Sequence, residues 1–94
     1  MFLLMTEKEW LEKLKEEGFS DLRVVPIDMG EDPEHVHPFH TVNVILGGEL
    51  TLTDQNGSTT YGPGDRYETA PGTSHRAKGG PTVGRMIIGV KKES

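Results

Sequence analysis

The four histidines of this chain have the spacing of a metal site. His35, His37 and His40 fall within six residues, and His75 follows a stretch rich in glycine and proline. A neutral imidazole nitrogen donates a lone pair near neutral pH, which makes histidine the commonest metal ligand. The sequence has no other histidine and no cysteine. Imidazoles without thiolates suit Fe, Mn, Co, Ni, Cu or Zn, and we expect one divalent ion from this group.

The spacing also predicts which histidines can share one ion. Side chains two residues apart on a strand lie on the same face of a sheet, so His35 and His37 form a bidentate pair. In a regular strand His40 would point the other way, but a β-bulge at Pro38–Phe39 would shift the phase. We therefore expect His40 to be a fourth ligand. His75 is expected to arrive on a neighbouring strand.

A short helix is predicted near the start of the chain, from Thr6 to Glu17. Thr6 and Glu9 have the spacing of a capping box, in which each side chain accepts a hydrogen bond from the other residue's backbone. An apolar stripe that includes Leu14 follows at helical spacing, and Gly18 is placed to end the helix. We expect this helix to cover one edge or end of a sheet.

The rest of the sequence is typical of short strands separated by turns. Twelve glycines and six prolines among few aromatic residues favour a turn-rich, all-β domain. Asn56-Gly57 is the strongest short hairpin signal. Six or seven such strands indicate a sandwich or a barrel. The strands are predicted at about residues 22–28, 35–46, 49–53, 58–61, 66–69 and 82–90, with an acidic loop over 29–33.

The two histidine segments resemble the two motifs of the cupins, a family of small jelly-roll barrels. The first motif has a His-x-His pair and then a glycine after a hydrophobic strand. The second has Gly-Asp, a short strand, a Pro-x-Gly turn and a histidine. The residues that carry the resemblance are His35-Val36-His37 with Val44-Ile45-Leu46-Gly47-Gly48, and Gly64-Asp65 with Ala70-Pro71-Gly72-Thr73-Ser74-His75. The resemblance implies a one-domain, all-β jelly-roll barrel over residues 21–94, with a helical extension over 1–20.

The resemblance also implies a ligand set and a kind of chemistry. His35, His37 and His75 match the family's metal-binding histidines. The family's additional ligand is usually a glutamate, and Thr41 occupies that position here, while some similar small cupins carry an acidic residue where His40 falls. A redox-active metal would imply a dioxygenase that inserts oxygen into a small molecule. A zinc-bound water would instead imply hydrolysis or isomerisation.

Two other functions remain open from the sequence. One is a non-catalytic module that binds a metal or a small ligand in a structural or regulatory role. The other is a structural cupin with an empty site that forms homodimers through an edge strand. No residue is assigned a catalytic role. The residues expected to line the pocket are Phe39, Asn43, Tyr67, Arg85 and Met86, and an inward-facing Arg85 would favour an anionic substrate.

Composition excludes several classes of partner. The net charge of −5 opposes a nucleic-acid partner. No segment has the length and apolar character of a membrane span. The apolar start, Met1 to Met5, lacks a basic segment, so a signal peptide is not expected. The absence of cysteine suits a reducing compartment, and we expect a cytoplasmic protein whose partners are a small molecule and, in a dimer, a second copy of itself.

Overall fold

The computed structural model of the chain describes residues 5–92, except for the side chains of Pro33 and His35. The apolar start over residues 1–4 lies outside this range. One helix is followed by eight strands, which are α1 (Glu7–Glu16), β1 (Ser20–Ile27), β2 (Glu31–His35), β3 (His40–Gly47), β4 (Leu50–Asp54), β5 (Gly57–Tyr61), β6 (Arg66–Thr69), β7 (His75–Gly79) and β8 (Gly84–Lys91). Within residues 5–92 no helix has the length and apolar character needed to cross a membrane.

The strands form two antiparallel sheets, which confirms the predicted all-β jelly roll. The first sheet has the order β1-β8-β3-β6, and the second has the order β2-β7-β4-β5. One apolar cluster lies between the sheets and joins residues of both, among them Ile45 of the first sheet and Leu50 of the second. This cluster is the interior of the barrel, and the cavity described below opens from it.

The helix forms where the sequence predicts it, with the expected capping box at its start. The backbone N–H of Glu9 donates to Thr6 Oγ1 at 3.1 Å, and the backbone N–H of Thr6 donates to Glu9 Oε1 at 2.8 Å. Gly18 follows the helix with a φ of +99°, a conformation that glycine adopts without strain. The predicted helix end is therefore also confirmed.

The helix covers the outer face of the first sheet. Buried side chains from α1 pack there against β3 and β8, and this second apolar cluster contains Trp10, Leu14, Phe19, Val42, Val44 and Ile87. Since side chains alternate along a strand, this contact assigns Val42 and Val44 to the outer face and leaves Thr41, Asn43 and Ile45 for the barrel interior. The helix thus fixes which residues of β3 can reach the cavity.

The histidine-rich segment differs from the single strand predicted over residues 35–46. The chain instead forms β2 from Glu31 onward in the second sheet, so part of the predicted acidic loop is a strand. It then crosses between the sheets over residues 36–39 and enters the first sheet as β3. Pro38, which has no N–H for a ladder, lies in this crossing. The register irregularity of β2 falls between Asp32 and His35, and not at Pro38–Phe39 as expected.

Removing the buried side chain of Leu14 tests whether the helix holds the first sheet in place. Leu14 has no exposed surface, so Leu14→Ala is expected to lower the free energy of unfolding by about 2–5 kcal/mol. The exposed neighbour Glu12 offers a matched control, and Glu12→Ala should change it by less than about 0.5 kcal/mol. Urea denaturation followed by circular dichroism measures both. Equal, small effects for the two variants would contradict the docking of the helix.

Candidate functional site

His75 lies at the start of β7 and faces the barrel interior. Its side chain is buried, with 5% exposure. Two residues further along the same strand, Ala77 packs against the apolar cluster between the sheets, and alternation places His75 on the same inner face. The Pro-Gly turn that precedes β7 therefore delivers this histidine to the inside of the barrel.

The ladder between β2 and β7 aligns the first histidine segment with His75. Asp32 lies opposite Ala77, and His35 lies opposite His75, so three steps along β2 match two steps along β7. This irregularity has the count of a β-bulge, in which one extra residue is accommodated on one strand. It brings the backbone of His35 level with that of His75. The side chain of His35, a predicted ligand, lies outside the described part of the structure.

His37 approaches His75 from the segment that crosses between the sheets. The backbone N–H of Gly72 donates to the carbonyl of His37 at 2.9 Å, which ties this crossing to the turn before β7. The imidazole rings of His37 and His75 have centroids 5.2 Å apart and planes tilted by 34°. The structure thus brings together two of the four histidines from segments that are far apart in the sequence.

The separation of these two rings is compatible with a shared metal ion. A metal–nitrogen bond of about 2.0–2.1 Å places each ring centre about 3.2 Å from the ion, so two ligands at about 90–110° have centroids roughly 4.5–5.3 Å apart. The observed 5.2 Å falls in this range. Among the described side chains, which do not include that of His35, no group of three His, Asp or Glu residues is arranged to hold a metal.

His40 lies on the opposite face of β3, away from His37 and His75. Its Nε2 donates to Glu68 Oε1 at 2.7 Å, and its ring stacks on Phe19 with centroids 6.0 Å apart. The hydrogen bond from His40 lowers the pKa of Glu68, and Arg66 adds to this effect. Because the bulge expected at Pro38–Phe39 is absent, the phase of β3 is regular at His40 and turns this side chain outward.

A cavity of about 190 Å³ opens beside the two facing histidines. A second cavity of about 110 Å³ adjoins it, since His37, Thr41, Asn43 and Ile88 line both. Thr41, the residue at the position where the family usually has a glutamate, therefore faces the site but brings a hydroxyl in place of a carboxylate. The carboxylate of Asp32 also lines the larger cavity.

Three of the five predicted pocket residues line the larger cavity. They are Asn43, Tyr67 and Met86. The Asn43 Nδ2 donates to the Met86 sulfur at 3.6 Å, so these two side chains orient each other at the cavity wall. The alternation of side chains along β3 and β8 is the sequence signal that identifies Asn43 and Met86 as inward-facing.

The other two predicted pocket residues lie elsewhere. Phe39 remains 39% exposed, and the Lys92 ammonium lies 5.4 Å from its ring centroid. Arg85 is on the outer face of β8, where its guanidinium pairs with Glu7 at 2.5 Å. The inward neighbour of Arg85 is Met86, so strand alternation excludes Arg85 from the cavity. The arginine that does line the smaller cavity is Arg23, which the sequence reasoning missed.

Tyr67 contributes a neutral phenol to the cavity. Its ring stacks on Tyr61 with centroids 4.6 Å apart. Burial raises the pKa of Tyr67 well above its ordinary value, and the neighbouring Tyr61 adds to the effect. At neutral pH the Tyr67 hydroxyl is therefore available as a hydrogen-bond donor and does not act as a base.

Comparison with solved structures identifies the fold. A cupin-2 domain protein from Shewanella frigidimarina superposes with a TM-score of 0.67 at 19% identity, covering 76% of this chain and 69% of the other. A DUF861 family protein from Thermotoga maritima superposes with a TM-score of 0.66 at 21% identity, covering 84% and 89%. The protein has the fold of a small cupin. No protein-family model matches the sequence, and no curated protein is significantly similar to it.

A third similar structure is an enzyme with the cupin fold. The DMSP lyase from Ruegeria pomeroyi superposes with a TM-score of 0.68 at 23% identity, and the match covers 77% of this chain but only 38% of the lyase. The chain therefore spans well under half of that enzyme's length. At these identities the likeness establishes the shared fold, which confirms the fold that the two sequence motifs implied.

The protonation state of Tyr67 in this protein can be measured directly. At about pH 11, one unit above the ordinary phenol pKa, Tyr67 should remain neutral in the folded protein. The rise in tyrosinate absorbance should therefore be the same in wild type and in Tyr67→Phe until the fold is lost. Circular dichroism at each pH identifies that point. A smaller absorbance rise in Tyr67→Phe while both proteins are folded would show that Tyr67 ionises normally.

Proposed function

We propose that this protein binds one divalent transition-metal ion inside the barrel and uses it to act on a small molecule. The observation that carries the proposal is the pair of facing imidazoles, His37 and His75, at the edge of a cavity in the barrel interior. Imidazole nitrogens are suitable ligands for several divalent transition metals. The burial of His75 supports a role inside the fold over a role at the surface.

His35 is the proposed third ligand. Its backbone lies directly opposite that of His75 in the antiparallel ladder, and the sequence resemblance matches it, with His37, to the metal-binding histidines of cupins. Three histidines would leave open positions on the ion for water and a small molecule. His40 is left out of the ligand set because it is bonded to Glu68 on the other face of β3.

The residues around the cavity would orient the bound molecule and move protons. When bound, a metal of this kind supplies a Lewis acid and, if redox-active, a partner for dioxygen. The Tyr67 hydroxyl donates a hydrogen bond to the molecule, and the Thr41 hydroxyl lies on the same lining. Two aspartates, Asp28 and Asp32, are also on the lining, and we assign the role of proton acceptor to Asp32. We propose dioxygenase-type chemistry as the first class of reaction, with isomerisation as a further class.

The DMSP lyase among the similar structures adds elimination to the reactions worth testing.

A non-catalytic metal-binding module is the second candidate function. It is favoured by the wall of the cavity, where the Asn43 amide is engaged with the Met86 sulfur and Tyr67 is held neutral by burial. Both groups shape the cavity without supplying a base.

Single histidine variants test the metal site, with a control supplied by the chain itself. His37→Ala and His75→Ala should weaken zinc binding by at least about a hundredfold, since even changes around the ligands cost tenfold to a hundredfold. His40→Ala should bind zinc as wild type does, because its imidazole faces outward. Isothermal titration calorimetry on chelator-treated protein measures all four proteins. Circular dichroism confirms that each variant is folded.

Two results would contradict the metal site. One is a wild-type protein that binds none of Zn²⁺, Fe²⁺, Mn²⁺ or Co²⁺ more tightly than His75→Ala does. The other is loss of binding in His40→Ala equal to that in His37→Ala, which would place the ion on the outer face of β3. His75→Gln provides a second variant if alanine at this buried position destabilises the fold.

Oxygen consumption separates an enzyme from a binding module. We expect the Fe²⁺-loaded wild type to consume oxygen with at least one compound from a panel of thiols, diketones and phenols. His75→Ala, which lacks a proposed ligand, should consume none above the rate of free Fe²⁺. An oxygen electrode makes the comparison. Metal binding without turnover of any compound would favour the non-catalytic module.

A further inference from the structure

We propose that Arg23 recognises an anionic group of the molecule bound in the barrel, so that the natural ligand is a small carboxylate. The inference rests on the proposed function, because it names the chemical class of ligand for the same site. It assigns to Arg23 the role that the sequence suggested for Arg85.

The ladder of the first sheet places Arg23 on the inner face of β1. Arg23 lies opposite Ile88, and the next residue, Val24, lies opposite Ile87. Ile87 and Val24 pack in the apolar cluster under the helix, so they occupy the outer face. Ile88 lines both cavities, so Arg23, its partner in the ladder, shares the inner face.

Arg23 is connected to the facing histidines through the smaller cavity. That cavity of about 110 Å³ is lined by Arg23 together with His37, Thr41 and Asn43. The last three residues also line the larger cavity that contains His75. Arg23 is exposed, so it lies at the mouth. A molecule that enters from this side passes the guanidinium before it reaches the histidines.

Arg23 differs from two other arginines of the first sheet in its lack of an ion pair within the described residues. Arg66 forms an ion pair with Glu17, and Arg85 forms one with Glu7. Arg23 has no hydrogen bond or ion pair with any residue in the described part of the chain. Asp21, which also lines the smaller cavity, pairs with Lys92 at 3.6 Å, so its carboxylate is partly neutralised.

The chemistry of the mouth favours a carboxylate of limited size. A guanidinium presents paired N–H donors that match the two oxygens of a carboxylate. A cavity of about 150 Å³ is known to hold benzene, so the larger cavity here, at about 190 Å³, suits a body only slightly larger. Apolar side chains, among them Ile88 and Met86, line part of the larger cavity, and Asp28 and Asp32 line another part. A ligand with one small apolar body and a carboxylate fits these walls.

Binding of matched charged and neutral probes tests the assignment. Propionate, succinate and benzoate, and the amide of each, are titrated into isotope-labelled protein, and the shifts of backbone amide NMR signals are followed. In wild type at least one carboxylate should bind and its amide should not. Arg23→Gln should weaken that binding about tenfold to a hundredfold, the range expected for a lost charged hydrogen bond. Arg85→Gln, an arginine variant on the outer face, should bind as wild type does.

The assignment would be overturned if no carboxylate bound to wild type, if the amides bound equally well, or if Arg23→Gln bound as wild type does. Each titration is run on chelator-treated and on zinc-loaded protein. Carboxylate binding that depends on Arg23 in the chelator-treated protein would support the assignment even if zinc failed to bind. Zinc binding by wild type together with carboxylate binding unaffected by Arg23→Gln would overturn the role of Arg23 and leave the metal site intact.

Discussion

The phase of β3 determines what the barrel can contain. Val42 and Val44 are fully buried beneath α1. This apolar packing fixes which side chains of β3 face the helix and which face the cavity. A slip of one residue would exchange the two faces of the strand: it would turn His40 inward and Thr41 outward. The slip is costly because it would remove two valines from the apolar cluster under α1 and bury Thr41 and Asn43 there instead. The docking of the helix, on the side of the sheet away from the cavity, therefore selects the groups that face the cavity.

A second constraint aligns the two sheets around the site. The extra residue in β2 between Asp32 and His35 sets the register that places His35 opposite His75. The hydrogen bond from Gly72 to His37 then fixes the crossing segment against the turn before β7. These are backbone interactions, so the alignment of the two histidine segments is set by the main chain. Such a rigid support is what a binding site needs if its donors are to be preorganised.

Much of the fold could be predicted because its signals are local. The capping box at Thr6, the Asn56-Gly57 hairpin and the Pro-Gly turn before His75 each lie within a few residues. The placement of His40 could not be predicted, because it depends on where the chain crosses between the sheets. Arg85 and Arg23 show the same difficulty, since both lie on strands of the first sheet. Which of them faces inward follows from the ladder and from the contact with the helix, and these join residues far apart in the sequence.

The most direct test of the central claim is the position of a metal ion in a crystal of the protein. Crystals grown with Co²⁺ or Zn²⁺ would be measured at the absorption edge of the metal, and an anomalous difference map would locate the ion. The account predicts one strong peak inside the barrel, within bonding distance of ring nitrogens of both His37 and His75. A peak at His40 and Glu68 on the outer face, or no peak between the two facing histidines at full metal loading, would contradict it.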